Sequence, residues 1–150
     1  MADLGAGLLE FSIAPDLSEI TRCGEAWGRM AEAAELSETE RFQVDLVIDE
    51  ILSNIIKYTV VGADEFNAGL RIELSDERII LHIWDQGDRF NPLTQAEKPD
   101  LDASLEDRKI GGLGIHFVRD LMDDVTYVRE GGYNRLCLMK MRKREKDGNP

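Results

Sequence analysis

The sequence predicts an α+β fold, a two-layer sandwich in which helices cover one face of a mixed, mostly antiparallel sheet. Three observations lead there. Helical periodicity runs through two long segments, two strand pairs read as hairpins, and strands alternate with helices too irregularly for a doubly wound parallel sheet. The 150 residues are 43% hydrophobic and 32% charged, enough for one compact core and too few for a second of similar size. We expect a single domain spanning 1–150, with an ordered core over about 9–140 and a charged tail over 142–150.

Each element has a local reason. Leu8 to Ile13 alternates as a first strand, and Pro15-Asp16 breaks it at a helix start. Leu17, Ile20, Trp27, Met30 and Ala34 then recur at helical spacing, with Gly24 and Gly28 allowing close packing. Ser37-Glu38-Thr39-Glu40 has the form of a capping box, in which Ser37 takes a free backbone N–H and Glu40 reciprocates. A second helix is expected from about Glu38 to Tyr58. Leu70 to Leu74 and Ile79 to Trp84 form a hairpin around Ser75-Asp76-Glu77. Asp85 to Lys109, broken by Gly87, Pro92 and Pro99, keeps no period and reads as a lid or a disordered stretch. Gly114 to Met122 returns to helical spacing, and Val125 to Val128 with Leu136 to Met139 flank Gly131-Gly132 as a closing hairpin. Trp27 and Trp84 read as core, whereas His82 points to the face opposite Leu81 and Ile83.

Charge and composition exclude several functions. Thirty acidic against eighteen basic residues give a formal charge of −12 and a pI near 4.6, a poor surface for phosphate backbones, so no direct nucleic-acid binding is expected. Apolar runs such as Ile79-Ile80-Leu81 are far shorter than the ~20 residues of a bilayer span, and Met1 to Glu10 lacks a basic segment before its apolar residues. The expected location is the cytoplasm, with no membrane partner. Cys23 and Cys137 form no CxxC pair and read as buried thiols, and two separated histidines give no zinc site.

The second helix carries the first chemical signal. At 100° per residue, Gln43, Glu50, Asn54 and Lys57 fall on one arc, while Asp45, Asp49 and Ser53 form another. Two polar stripes on a helix that covers a sheet suggest that one lines a pocket. The competing reading is a wide solvated face interrupted by Leu46 and Val47. Glu50 and Asn54, four residues apart, can address one ligand. An amide oxygen suits Mg²⁺, which takes much of its shell from substrate phosphates, and the neighbouring carboxylate can accept a proton from an attacking hydroxyl. Lys57 either faces phosphate or is an exposed lysine near a helix end.

Two glycine-containing segments follow. Asp85 ends an apolar strand with Gly87 two residues later, so the carboxylate can accept the exocyclic N–H of adenine while glycine lets backbone approach the base. Taken alone, D-x-G is also an ordinary turn. Gly111-Gly112-Leu113-Gly114 opens the third helix after Arg108-Lys109, leaving N–H groups for phosphate oxygens, and equally reads as a flexible loop. The spacing fits neither a P-loop nor a dinucleotide fingerprint. Asn134, after the final turn, reads either as a group near a nucleotide or as turn chemistry.

In order, these segments are E-x-x-x-N on a helix, D-x-G at a strand end, and a long loop ending in G-x-G at another helix. The series resembles the N, G1 and G2 boxes of the Bergerat-fold ATP-binding superfamily. Ile48 through Lys57, Asp85 through Pro92, and Gly111 through Ile115 with Leu121 to Val125 are most similar to anti-sigma-factor serine kinases of bacterial partner switching. The resemblance covers about Leu9 to Lys140. It implies an ATP-dependent protein serine kinase in which Asn54 ligates Mg²⁺ on the ATP phosphates and Glu50 is the catalytic base. It assigns Lys57, Asp85, Gly87, Asn91, Arg108, Lys109, Gly111, Gly112, Leu113 and Gly114 to nucleotide binding. The implied partners are an antagonist protein bearing the acceptor serine, a sigma factor or other regulator, and a second copy in a homodimer. Lys57 stands where some relatives have histidine, and Ile110 where many have a small or polar residue. The alternative function is a non-catalytic module that uses ATP to gate capture of a regulator.

Overall fold

The computed structural model describes residues 7–59, 67–87 and 118–143. Its elements are β1 (Gly7–Ile13), α1 (Ser18–Ala33), α2 (Glu38–Asn54), a π-helical turn (Ile55–Thr59), β2 (Ala68–Leu74), β3 (Arg78–Asp85), β4 (Asp124–Glu130) and β5 (Tyr133–Met141). Of the expected third helix, residues 118–121 are described and helical, with Met122 N–H donating to the Val118 carbonyl at 3.0 Å. The rest of that helix and the expected lid fall outside the described residues.

The strands form one sheet in the order β1-β2-β3-β5-β4. Its neighbouring strands all run antiparallel, so the expected α+β sandwich is borne out and its described sheet is antiparallel throughout. Glu130 pairs with Tyr133 across Gly131 and Gly132, whose φ angles are 61° and 82°. A two-residue turn with both central φ positive matches the twist of a hairpin, and glycine adopts it without a Cβ penalty.

Alternation places Ile72, Leu74, Ile79, Leu81, Ile83, Leu136 and Leu138 on one face, all buried. Val44, Val47, Ile48, Ile51 and Leu52 of α2, with Cys23, Trp27 and Ala31 of α1, complete that core. Full burial of each large aliphatic contributes about 1.5–3 kcal/mol, so this face holds the helices, and among the described residues the opposite face is open. The two helices meet across glycines, as the sequence suggests: a Cβ on Gly24 would come within 2.9 Å of Asp45 Oδ1, and one on Gly28 within 2.9 Å of an Arg41 guanidinium nitrogen. Trp27 Nε1–H donates to the Arg41 carbonyl at 3.0 Å, satisfying its one polar group inside the core.

The capping of α2 is half as expected. Ser37 Oγ accepts the Glu40 N–H at 3.1 Å. The buried Glu40 carboxylate accepts from Ser37 Oγ–H at 3.1 Å and from the Lys143 backbone N–H at 3.0 Å. A buried carboxylate needs donors, and the returning chain supplies one. Arg142 ties the same corner, donating to the carbonyls of Ser75 at 2.7 Å and Ala34 at 3.3 Å, with its own N–H on the Glu77 carbonyl at 2.9 Å.

Trp84 corrects a sequence expectation. It shares the parity of His82, so it lies half-buried on the open face, against Gly69, where three ring atoms leave no room for a Cβ. Beside it, His82 Nε2 sits 3.1 Å from Glu73 Oε2, on the face opposite Leu81 and Ile83 as expected. Cys137 is also only half-buried there, whereas Cys23 is buried and its thiol is pushed up to about 11, chiefly by desolvation.

Candidate nucleotide site

The regular helix α2 ends at Asn54 and gives way to the π turn, one turn earlier than the uninterrupted helix the periodicity predicts. Such turns recur at functional sites. Just before it, Asn54 Nδ2 donates to Glu50 Oε1 at 3.3 Å. A carboxylate only accepts, so this bond assigns the amide: its nitrogen faces Glu50 and its oxygen faces away. Asn54 Oδ1 is buried and has no hydrogen-bond partner among the described residues. An orphaned buried acceptor costs about 1–3 kcal/mol, and a hard cation removes that cost. Among the described residues no group of three His, Cys, Asp or Glu side chains is placed to hold a metal ion. A lone amide oxygen suits Mg²⁺, which takes much of its shell from phosphate oxygens and water.

Glu50 is half-buried. Desolvation holds its carboxyl above the ordinary value of 4.5, and the Asp49 charge adds to the rise, while the Asn54 hydrogen bond and the Lys57 charge oppose it. A carboxylate shifted upward is a better proton acceptor near neutral pH. Lys57 lies exposed on the π turn, close enough to act electrostatically on Glu50. The structure thus brings Glu50, Asn54 and Lys57 together.

The second group sits at the end of β3. Asp85 is buried and shares the core-facing parity of Ile83. Its Oδ1 accepts the Gly87 N–H at 2.9 Å and Asn134 Nδ2–H at 3.0 Å. Among the described residues both bonds fall on Oδ1, which leaves Oδ2 for an incoming donor. Asn134 stands opposite Asp85 in the β3–β5 register and its Oδ1 accepts from Tyr127 Oη–H at 2.6 Å and Arg129 Nη1–H at 3.2 Å. Arg129 Nη1 also donates to the Gly87 carbonyl at 2.6 Å. Asp85 and Gly87 are thereby held from the β5–β4 side of the sheet, through Asn134 and Arg129. Sequence reasoning missed Tyr127 and Arg129; their alternation with Val125 toward the core face was the available signal. Asn91, Arg108, Lys109, Gly111, Gly112, Leu113 and Gly114 lie outside the described residues.

This arrangement of helix pair, strand-end carboxylate and antiparallel sheet defines a class. The chain matches the histidine kinase-like ATPase domain over residues 13–140 and belongs to that family. It is similar to serine/threonine-protein kinase BtrW of Bordetella bronchiseptica, with 35% identity over 98 residues covering 65% of this chain and 68% of the relative. It is also similar to serine-protein kinase RsbW of Staphylococcus epidermidis, with 30% identity over 110 residues covering 69% and 67%. The structure of histidine kinase AdeS from Acinetobacter baumannii superposes with a TM-score of 0.51 at 15% identity, covering 92% of this chain and 68% of that one. That likeness supports the Bergerat-like fold alone.

Proposed function

We propose that this chain is an Mg²⁺- and ATP-dependent protein serine kinase that phosphorylates a small antagonist protein and, as a homodimer in the cytoplasm, sequesters a sigma factor. The observation that carries the reading is the Glu50–Asn54 pair: one amide whose nitrogen is tied to a partly desolvated carboxylate and whose buried oxygen lacks a partner among the described residues. The kinase names of the relatives support the same chemistry. Consistent with the location, no described helix is long and apolar enough to cross a membrane.

Asp85 accepts the adenine amino group, and Gly87 admits the base edge. Asn54 Oδ1 would hold Mg²⁺, whose charge would offset that developing on the phosphates. Glu50 accepts the proton of the acceptor serine as its Oγ–P bond forms and the bond between the γ-phosphorus and the bridging oxygen breaks, leaving ADP. Lys57 faces the phosphates; Arg108, Lys109 and the Gly111 to Gly114 backbone cover them. Asn91 is a further nucleotide-binding residue in this reading. Positioning and charge neutralisation are what phosphoryl transfer chiefly requires.

The test incubates the protein with γ-labelled ATP and fractions of an extract of the cells that make it. The expected result is one small protein labelled on serine, with label lost in Glu50→Ala and Mg²⁺-dependent ATP affinity lost in Asn54→Ala. Nucleotide binding with ATP-dependent capture of a partner and no transfer would replace catalysis with gated binding.

A further inference from the structure

The helix that carries Glu50 also presents two large apolar side chains to solvent. Phe42 is 61% exposed and Leu46 43% exposed, although both belong to an element whose other face supplies Val44, Val47, Ile48, Ile51 and Leu52 to the core. They are spaced at i and i+4, and Glu50 follows at i+8. On an α-helix these three form a continuous ridge, with Leu46 about 6 Å and Phe42 about 12 Å along the axis from Glu50. Scattered surface hydrophobics need no explanation, but a ridge that ends at a catalytic base does.

Its surroundings are acidic. Asp45 and Asp49 are exposed on the same side of α2, and Asp49 Oδ1 accepts from Ser53 Oγ–H at 3.0 Å, which fixes the carboxylate beside the ridge. An apolar line with an acidic border suits a protein partner that offers an apolar patch rimmed by basic groups. It does not suit an acidic one.

We infer that the Phe42–Leu46 ridge is the docking surface for the protein that bears the acceptor serine. This rests on the kinase reading: a serine hydroxyl that reaches Glu50 must come from the solvent side of α2, and its carrier then covers the ridge that ends there. Phe42 and Leu46 anchor the substrate protein, and Asp45 and Asp49 select its basic rim. They touch no reacting atom, so they set affinity for the acceptor and leave the chemical step to Glu50.

The test uses the full chain and the acceptor protein purified by its label as above. Phe42→Ala with Leu46→Ala keeps helix propensity, so folding is preserved. The expected result is a rise of tenfold or more in KM for the acceptor, with kcat and ATP affinity within twofold of wild type. Leu46→Met is expected to retain the wild-type KM, and Asp45→Asn with Asp49→Asn to weaken the salt dependence of KM. An unchanged KM in the double alanine variant, with wild-type phosphorylation intact, overturns the docking surface and spares the kinase. If the same variant turns a dimer into a monomer at unchanged KM, the ridge is a self-interface and the inference fails. Absence of any acceptor labelling by the wild type removes the kinase reading and this inference together.

Discussion

Replacing Asn134 with alanine tests whether the strand-end carboxylate is held by its neighbours. The change removes the donor to Asp85 Oδ1 and the acceptor of Tyr127 and Arg129. A neutral hydrogen bond contributes a net of about 0.5–1.5 kcal/mol, and one with a charged partner about 1.5–3 kcal/mol. Members of a network relax together, so the three do not simply add, and a loss of about 2–4 kcal/mol follows. For a chain of this size each kcal/mol shifts Tm by about 2–4 °C; differential scanning calorimetry should therefore record a fall of roughly 4–16 °C. Titration calorimetry with ATP should show at least tenfold weaker binding, about 1.4 kcal/mol, because Asp85 loses one of the two bonds that aim its carboxylate. A variant that melts and binds ATP like the wild type would refute the network.

Three further outcomes follow from the same geometry. The raised pKa of Glu50 means that its favourable term is complete below 4.5 and lost as pH rises through the folded-state value. Glu50→Gln should thus be at least as stable as wild type at pH 7 and lose that advantage on acidification, while phosphoryl transfer falls by about 10²-fold or more; a variant less stable at pH 7 than at pH 4 relative to wild type contradicts the sign. Asp85→Asn should weaken adenine selectivity, measured as the ratio of ATP to GTP affinity, without unfolding the chain, since Asn134 and Gly87 remain in place. Gly69→Ala forces the Trp84 ring off its seat and should cost about 1–3 kcal/mol, read as a lowered Tm with altered tryptophan emission; unchanged values for both would place the ring elsewhere.

Much of this was legible in the residues. The spacing of Glu50 and Asn54, the doubled glycine at Gly131-Gly132 and the parity of Ile79, Leu81 and Ile83 are local signals, and helix and hairpins follow them. Trp84 reads as core beside Trp27, whereas its parity with His82 assigns it to the open face. Other features depend on distant pairing. Asp85 meets Asn134 only because β5 lies beside β3, and no residue near either one announces that neighbour. The same holds for Glu40, which keeps Ser37 one turn away as a donor but takes its second donor from the distant Lys143. The switch from α to π geometry at Ile55 has no cue in the amphipathic pattern, which continues through it.

The stitch formed by Arg142 and Lys143 also decides how the domain bears mechanical load. Tension on the trailing end would strain the Lys143 amide and the guanidinium anchored to Ala34 and Ser75 before it reached the ladder between β5 and its neighbours. The pull would be delivered at the head of the helix that carries Glu50 and Asn54. Any module hung from that end, or any surface it is tethered to, therefore tugs first on the helix that carries Glu50 and Asn54 and last on the sheet.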